Sequence, residues 1–367
     1  MKIKQPSLII DKEKCLENIR VMASKAKINN VNFRPHFKTH QSAIIGHWFR
    51  EYNVRAISVS SVNMARYFSD NGWHDITIAF PLNPLEINEI NEIAKNISLN
   101  ILVASDDGIQ EYFTRIKVHI GIYIEIDDGY HRSGIPFDQT QKIDKILSKI
   151  TTYPFLKFKG FLVHSGKTYT AKSKKEIIGI CNNTIKILKE LKQKYSHHSD
   201  IINLSIGDTP SCSLKDKFEE IDEIRPGNFI FYDTMQYYLG SCKLNQIAVA
   251  LACPVIARYP ERNELVIYGG AVHLSKDNIT DNNGNNIFGL AVQFDNNKWS
   301  EPMEDTWVSS LSQEHGIIRT TSELLKGFKV GDIIGILPVH SCLTANLQPY
   351  YLTTEMEVIP KMRKGII

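Results

Sequence analysis

Short β-rich runs alternate with helical stretches across residues 8–237, and this alternation constrains the fold more than any other feature of the sequence. The eight runs occupy residues 32–35, 56–60, 75–80, 100–104, 118–127, 158–164, 202–206 and 224–231. Between them apolar residues recur at helical spacing, as at Ile87, Ile90 and Ile93. Eight strands joined by helices predict an α/β fold, a (β/α)8 TIM barrel, with an open doubly wound sheet as the main alternative.

Polar residues at the ends of these runs favour the barrel. Lys38 follows the first run, His164 ends the sixth, and Gly207-Asp208-Thr209 follows the seventh. Barrel enzymes carry their chemistry on the rim formed by the carboxyl ends of the strands, often with a phosphate site near the last two strands. The group Arg225-Pro226-Gly227-Asn228 lies at the start of the eighth run, so it fits this rim only if that strand begins later than predicted.

The sequence changes character after Tyr238. Residues 247–257, 264–268, 287–294 and 332–337 have the composition of strands, with turn residues between them and no long helical pattern. We therefore predict two domains. The barrel spans residues 8–237, and an all-β domain spans residues 238–367 and also takes residues 1–7.

Composition and charge exclude several classes of function. The 367 residues carry 43 basic and 40 acidic side chains, and a net charge of +3 gives no electrostatic argument for nucleic-acid binding. No run approaches the roughly 18 apolar residues that a membrane span needs, and the apolar stretch near the start is too short for a signal peptide. Six cysteines without a CxxC pair do not indicate a disulfide framework. We expect a soluble, cytoplasmic protein that binds neither nucleic acid nor a membrane.

The densest cluster of chemically active side chains is Arg34-Pro35-His36-Phe37-Lys38-Thr39-His40. In a partly buried site, desolvation and neighbouring cations would disfavour the ammonium form of Lys38. A neutral amine at this position can attack a carbonyl carbon. A solvated basic loop is an equal alternative, because lysine is common in loops.

A second cluster is His340-Ser341-Cys342. In an extended strand, residues two apart point to the same face, so the imidazole and the thiolate would lie side by side. These ligands suit a borderline-soft divalent metal, with zinc the first choice, and two protein ligands leave open positions for water or substrate. A core cysteine beside an unrelated histidine is the more common explanation of so short a pattern.

Two further segments have weaker signals. Gly207–Ser211 together with Gly227-Asn228 offers backbone N–H groups and hydroxyls to an anion, although plain turns explain either segment equally well. No GxGxxG or P-loop pattern indicates a dinucleotide or nucleotide site. In residues 125–134, Arg132 follows a predicted strand and could contact a cofactor hydroxyl or a substrate carboxylate. An Arg–Asp ion pair that braces a turn has at least equal weight.

Taken together, these segments resemble one family. Arg34–His40 is similar to the cofactor-lysine segment of the D-threonine aldolase and D-serine dehydratase family, fold-type III pyridoxal 5′-phosphate enzymes related to alanine racemase. The resemblance continues in order through residues 127–134, 164–166, 207–211, 225–233, 313–316 and 338–342. Several motifs in sequence are far more specific than any one of them.

The resemblance implies an alanine racemase-like barrel, a C-terminal β domain and a homodimer with its sites at the interface. It implies that Lys38 is the catalytic residue and holds the cofactor as a Schiff base. The implied cofactor-binding residues are Lys38, Arg132, His164, Tyr169, Gly207, Thr209, Arg225, Gly227 and Asn228. Arg225 would face the pyridine nitrogen as a donor and Arg132 would approach O3′. Glu125 would brace Arg132 where many alanine racemases carry a carbamylated lysine.

The metal ligands distinguish members of the family. D-threonine aldolases generally show His-x-Asp, which suits manganese or magnesium, whereas eukaryotic-type D-serine dehydratases show His-x-Cys and use zinc. His340 and Cys342 therefore indicate a zinc-dependent D-serine dehydratase that forms pyruvate and ammonia, with Mn²⁺ or Mg²⁺ as alternative metals.

Three alternatives stay open at this point. The first is a D-threonine aldolase that cleaves 3-hydroxy-D-amino acids. The second is a racemase, for which no second base stands out among Tyr238, Tyr259 and Tyr350. The third is a non-catalytic binding protein for the cofactor. The related proteins of that last kind are single barrels, so the second domain and the His340–Cys342 pair argue against it.

Overall fold

The computed structural model of this protein describes residues 3–281, 283–295 and 297–362. Its strands, in chain order, are β1 Ser7–Ile10, β2 Asn32–Phe33, β3 Ile57–Val59, β4 Asp75–Pro81, β5 Ser98–Val103, β6 Ile120–Asp127, β7 Ile135–Pro136, β8 Leu156–Val163, β9 Asn203–Ile206, β10 Glu223–Ile224, β11 Val249–Tyr259, β12 Glu264–Tyr268, β13 Ile279–Thr280, β14 Asn286–Ile287, β15 Gly289–Asp295, β16 Lys298–Leu311, β17 His315–Arg319, β18 Ile333–Pro338, β19 Tyr350–Thr353 and β20 Val358–Pro360.

The helices, in chain order, are α1 Lys12–Ile28, α2 Ala43–Arg50, α3 Val62–Asp70, α4 Ile87–Ala94, α5 Ile109–Thr114, α6 Thr140–Ile150, α7 Lys174–Lys194, α8 Thr209–Leu214, α9 Thr234–Tyr238, α10 Ala271–Leu274, α11 Ser322–Gly327 and α12 Ser341–Leu347. Short 3₁₀ helices cover Pro84–Glu86, Gly166–Tyr169, Ser196–His198, Asn228–Ile230, Leu244–Gln246 and Pro260–Arg262.

The chain divides into two compact units. The barrel unit comprises Arg20–Lys38 and Gly46–Gly227, and the β unit comprises residues 3–19, Thr39–Ile45 and 228–362. The β unit thus includes residues 8–19, 39–45 and 228–237 of the range predicted for the barrel, 8–237, as well as the described part of 238–367. At residues 8–10 the reason is that β1 pairs antiparallel with β11. The parts of the predicted domains at residues 1–2 and 363–367 lie outside the described residues.

The barrel unit is built on eight described parallel strands in the order β2-β10-β9-β8-β6-β5-β4-β3. A parallel bridge between His36 and Ser58 joins the two ends of this order, with the N–H of Phe37 donating to the carbonyl of Ser58 at 2.9 Å. The ring of strands confirms the predicted (β/α)8 barrel and excludes the open doubly wound sheet.

Apolar patterning explains why these segments form a barrel. All eight positions of β6 are buried, as expected for a parallel strand covered on both faces. In α6, the buried residues Ile143, Ile146, Leu147 and Ile150 share one face, which is the helical spacing of an amphipathic helix. Each isoleucine side chain that becomes fully buried stabilises the fold by roughly 1.5–3 kcal/mol.

The β unit is built on a nine-stranded sheet in the order β12-β17-β16-β15-β18-β11-β1-β19-β20. An additional pairing of β12 with β11 closes the first six of these strands into an antiparallel barrel. The prediction of a β domain is confirmed, and the described helices of residues 228–362, α9–α12, have at most seven residues each. No helix in the described residues is long and apolar enough to span a membrane.

Candidate active site

Packing fixes the segment that carries Lys38. Phe37 is fully buried, and its ring lies 4.9 Å from that of Phe49 and 5.0 Å from those of Phe68 and Trp73, measured between centroids. Aromatic contacts at these distances hold Phe37 in place and so restrict the backbone of the residues before and after it. The backbone N–H of Lys38 donates to Nδ1 of His36 at 3.3 Å. Lys38 itself is exposed in a turn, which differs from the partly buried amine predicted from the sequence.

Two histidines in the barrel unit, the buried His36 and the half-buried His164, are held neutral. Burial and the charges of Lys38 and Arg132 lower the pKa of His164 to about 3. Burial and the charges of Lys38 and Arg225 hold the pKa of His36 well below its ordinary value. Nδ1 of His164 lies 2.6 Å from the carbonyl oxygen of Gly207, which can only accept, so Nδ1 carries the proton and Nε2 is an acceptor. Neither ring adds a positive charge near the lysine at neutral pH.

Arg225 lies directly after β10, which ends at Ile224. The eighth strand was predicted over residues 224–231, so its position was wrong. It ends earlier, and Arg225 thereby falls at the carboxyl end where barrel enzymes place their chemistry. Nε of Arg225 donates to Oγ of Ser205 at 2.7 Å, and Nη2 donates to the carbonyl of Val163 at 2.7 Å. No hydrogen bond within the described residues engages Nη1, so this atom suits a ligand that can only accept, such as an unprotonated pyridine nitrogen.

The loop after β9 suits an anion. The Oγ1 atom of Thr209 is buried without a hydrogen-bond partner among the described residues, and its backbone N–H donates to Oη of Tyr169 at 3.3 Å. A Cβ at Gly207 would lie 2.9 Å from Cβ of Arg225, so a larger residue would displace the arginine. A buried hydroxyl that still needs a partner fits a phosphate oxygen.

The other two residues predicted for phosphate binding, Gly227 and Asn228, are neighbours in the sequence but belong to different units. Gly227 ends the barrel unit, and Asn228 begins the β unit and a 3₁₀ helix. Nδ2 of Asn228 donates to Oδ2 of Asp233 at 2.6 Å and to Oγ of Ser341 at 3.0 Å, whereas its Oδ1 has no partner within the described residues.

The predicted brace between Glu125 and Arg132 is long. Nη2 of Arg132 lies 3.8 Å from Oε1 of Glu125, and the arginine side chain is 50% exposed. The buried Glu125 also accepts a hydrogen bond from Oγ of Ser133 at 3.0 Å. Burial raises the pKa of Glu125, and the bond from Ser133 and the charge of Arg132 oppose this. The alternative Arg–Asp brace does not form, because Asp127 pairs with His131 at 2.8 Å.

His340 and Cys342 come together, but not in a strand as predicted. β18 ends at Pro338, His340 caps the start of α12, and Cys342 lies in the first turn of that helix. Nδ1 of His340 lies 2.7 Å from Oδ2 of Asp277. Burial lowers the pKa of His340, but hydrogen bonds to Asp277 and Cys342 outweigh it and raise the pKa to about 11.

The donor set at this point fits a divalent metal. Since Nδ1 of His340 faces Asp277, Nε2 is the nitrogen left for a metal, and a carboxylate behind a histidine ligand is the usual outer-shell arrangement. Sγ of Cys342 lies 3.3 Å from Oγ1 of Thr39 and 3.5 Å from Nδ2 of Asn228. No group of three or more His, Cys, Asp or Glu side chains suited to a metal occurs in the described part of the chain. His340 and Cys342 therefore offer one imidazole and one thiolate, and the metal site predicted from the sequence stays a prediction.

Several residues of these clusters were missed by the sequence analysis. Asp233 is buried and accepts hydrogen bonds from Asn228, from the N–H of Ser341 at 2.9 Å and from its hydroxyl at 3.2 Å, which fixes the start of α12. Asp277 lies 63 positions before its partner His340, in a polar segment without a pattern. No local signal in the sequence could have identified either contact.

Comparisons with known proteins identify the family of the chain. A family model described as "Alanine racemase, N-terminal domain" matches residues 10–234, and one described as "Putative serine dehydratase domain" matches residues 248–354. A D-serine dehydratase of Dictyostelium discoideum is 30% identical over 354 residues, which cover 88% of this chain and 86% of that protein.

Two solved structures show the same fold. A D-threo-3-hydroxyaspartate dehydratase from Delftia sp. HT23 has a TM-score of 0.91 at 21% identity, with 99% of both chains covered. A D-threonine aldolase from Filomicrobium marinum has a TM-score of 0.83 at 20% identity, with 98% of this chain and 94% of that chain covered. The chain therefore belongs to the fold-type III pyridoxal phosphate family of D-serine dehydratases and D-threonine aldolases, with an alanine racemase-like N-terminal domain, and is a lyase of that family.

Proposed function

We propose that this chain is a D-serine dehydratase that requires pyridoxal 5′-phosphate and zinc and converts D-serine to pyruvate and ammonia. The observation that carries the proposal is the soft ligand pair His340–Cys342, which the start of α12 brings together and Asp277 supports. The 30% identical relative from Dictyostelium discoideum has the same activity by name.

Residues of the barrel unit provide a fitting cofactor site. Pyridoxal phosphate supplies an aldehyde that condenses with amines and a ring that delocalises negative charge from Cα. We assign the Schiff-base amine to Lys38, the ring nitrogen to Arg225, O3′ to Arg132 and the ring face to His164. The phosphate is assigned to Tyr169, Gly207, Thr209 and Gly227 of the barrel unit, and the sequence prediction adds Asn228, the residue after Gly227, which begins the β unit. The unpartnered hydroxyl of Thr209 and the unengaged Nη1 of Arg225 support these assignments.

Lys38 is also the group that we assign to take the proton from Cα of the substrate, at its Nζ. His36 and His164 are neutral, so the amine can accept this proton without facing two additional cations. The same amine must bind the cofactor and later take the proton from Cα, so it must be able to move. The exposed position of Lys38 is consistent with that requirement.

The second half of the reaction removes the β-hydroxyl. Zinc supplies a Lewis acid that makes a hydroxyl a better leaving group. His340 and Cys342 would hold it, and Asp277 would keep Nε2 of His340 in the ligating orientation. Thr39, whose hydroxyl lies 3.3 Å from Sγ of Cys342, directly follows Lys38 in the sequence. Loss of water from D-serine gives an enamine, which tautomerises and hydrolyses to pyruvate and ammonia.

The test is turnover by the purified protein supplied with pyridoxal phosphate and zinc. We expect pyruvate from D-serine, measured with a coupled lactate dehydrogenase assay, and none from L-serine. Acetaldehyde and glycine from D-threonine without pyruvate from D-serine would replace this proposal with the aldolase. A higher kcat/KM for D-threo-3-hydroxyaspartate would place the chain with the Delftia enzyme, whose fold it shares.

We further propose a homodimer in the cytoplasm, following the resemblance to alanine racemases. All six cysteines lie in the described residues and none forms a disulfide, which agrees with a reducing compartment. Light scattering at the concentration used for the assay measures the mass, and a monomer with full activity would contradict the dimer.

A further inference from the structure

A continuous chain of hydrogen bonds runs through the barrel unit from Arg225 to Asp75. Nε of Arg225 donates to Oγ of Ser205 at 2.7 Å, and the Ser205 hydroxyl donates to Oε1 of Glu223 at 2.7 Å. Oε2 of Glu223 accepts from Nε of Arg34 at 2.6 Å. Arg34 in turn donates from Nη1 and Nη2 to the two carboxylate oxygens of Asp75, at 2.7 and 3.2 Å.

Most residues of this hydrogen-bonded series are deeply buried. Ser205 is 0%, Glu223 3%, Arg225 4% and Arg34 7% exposed, whereas Asp75 borders a groove of about 730 Å³ that Arg34 also lines. Two guanidinium groups and two carboxylates balance to zero net charge. Buried charges are tolerated when they are paired and fully hydrogen-bonded, and this chain meets that condition at Glu223, whose two oxygens both accept.

The direction of each bond follows from Glu223. A carboxylate can only accept, so the hydroxyl hydrogen of Ser205 points toward Glu223 and a lone pair of Oγ is left for Nε of Arg225. The carbonyl of Val163 accepts from Nη2. Two bonds from different atoms of a planar group fix its plane, and Nη1 is the donor that they leave over.

We propose that Ser205 and Glu223 are positioning residues that fix the guanidinium plane of Arg225 and so aim the donor that serves the ring nitrogen of the cofactor. This inference rests on the proposed function, which places Arg225 at that nitrogen. Ser205 and Glu223 act through Arg225, while Arg34 and Asp75 anchor the carboxylate of Glu223.

Replacing Glu223 by glutamine disrupts this series of hydrogen bonds in either orientation of the amide. With its NH₂ toward Ser205, the hydroxyl can no longer donate there and must accept from both neighbours, so its own hydrogen loses the acceptor that orients it. With the NH₂ toward Arg34, two donors face each other at the site of the present 2.6 Å bond. Ser205→Ala is the milder change, because it removes only the link to Arg225.

The experiment compares Ser205→Ala and Glu223→Gln with the wild type, each saturated with ¹⁵N-labelled pyridoxal phosphate. The readouts are the ¹⁵N chemical shift of the ring nitrogen, the pH dependence of the visible absorption band and kcat against KM. We expect both variants to move the ¹⁵N shift and the pH dependence and to lower kcat by about tenfold to a hundredfold, the equivalent of one lost charge-assisted hydrogen bond. KM for D-serine should change less than kcat.

Thr77→Val is the matched control. Thr77 and Asn100 form a separate buried hydrogen bond of 3.2 Å in the same barrel unit, so the variant also removes one interior hydrogen bond. It should lower the melting temperature about as much as Ser205→Ala but leave the ¹⁵N shift at its wild-type value. If Glu223→Gln does not fold, Ser205→Ala decides the matter alone.

Two outcomes would overturn the inference. One is a wild-type ¹⁵N shift in a folded, cofactor-loaded Ser205→Ala variant, and the other is an equal change in Thr77→Val. A wild-type protein that shows no visible band and no borohydride-trapped adduct on Lys38 refutes the proposed function instead, so the two failures are distinguishable.

Discussion

The residues proposed for the cofactor in the barrel unit and the metal ligands proposed in the β unit are positioned in opposite ways. Lys38, His164, Gly207 and Arg225 each lie within a few residues of the end of a parallel strand. His340 and Cys342 lie at the start of a helix, and their contacts come from Thr39, Asn228 and Asp277, which are far apart in the sequence. A strand end fixes a side chain by topology, whereas the ligand pair depends on several long-range contacts. Single substitutions should therefore separate the two chemistries.

The largest effect is expected for Lys38→Ala. Without the amine, the visible absorbance of the bound cofactor should disappear and pyruvate formation should fall to background, because we propose that the same atom binds the cofactor and moves the proton. Absorption spectra and the coupled assay measure both. Lys157→Ala removes an exposed lysine from β8 and should change neither.

The next largest effect is expected for Cys342→Ala. Loss of the thiolate should abolish stoichiometric zinc binding and elimination while the cofactor absorbance stays intact, since only the β unit is altered. Metal analysis after dialysis and the visible spectrum provide the two measurements. Cys253→Ala, which changes a buried cysteine of β11, should retain zinc. Loss of the cofactor band in Cys342→Ala would show that the two regions are not separable.

Acid should destabilise both units through two neutral histidines, the buried His40 and the half-buried His164. Burial lowers the pKa of His40 from 6.5 to about 3, and burial with neighbouring charges lowers that of His164 equally. The unfolded chain binds these protons below pH 6.5 and the folded chain does not. The free energy of unfolding is therefore highest above pH 6.5 and falls as the pH drops toward 3. Each histidine accounts for a loss on the order of 3–5 kcal/mol.

Urea unfolding at a series of pH values tests this dependence. In the wild type the N–H of Ser42 donates to Nδ1 of His40 at 3.1 Å, and His40→Asn keeps an acceptor there. This variant should lose less unfolding free energy below pH 6.5, so the acid limb of the stability curve should be flatter. His197→Asn, at an exposed histidine, is the control and should leave the limb unchanged. An acid limb that is equally steep in His40→Asn would contradict the prediction.

A smaller effect is expected for Asp277→Asn. The amide can still contact Nδ1 of His340 but no longer supports it with a negative charge, so zinc affinity should fall by about 10–100-fold. Competition with a chromophoric chelator measures the affinity. The cofactor spectrum is the internal reference and should stay at its wild-type form. An unchanged affinity would mean that Asp277 does not orient the ligand.

The smallest effect is expected for His131→Gln in the barrel unit. This histidine forms the same kind of pair with Asp127, at 2.8 Å, but its side chain is 79% exposed. Asp127 is buried but keeps the backbone N–H donors of Gly129 and residue 131, so the loss should be about 1 kcal/mol or less, and stability and zinc affinity should both stay close to wild type. Thermal unfolding compares it with Asp277→Asn, and a larger loss in His131→Gln would reverse the ranking of the two pairs.

Particular elements show how far the sequence predicts this molecule. The eight barrel strands were predicted because each is a short apolar run followed by polar residues, and only the eighth was misplaced, since β10 has two residues and Pro226 follows it closely. The longest strand, β16, was missed. Its first eight residues include no buried position, so the alternation that marks a half-buried strand is absent there.

The barrel, the β domain, the lysine segment and the histidine–cysteine pair could be predicted from the sequence by itself. Each of them depends on a short motif or on the local spacing of apolar residues. Tertiary structure alone decided that Asp277 supports His340, that Glu223 reaches Arg225 through Ser205, and that Lys38 is exposed while its neighbours are buried. These contacts depend on which strands and helices become neighbours and in which register. That choice is made by the packing of the whole chain and leaves no local pattern.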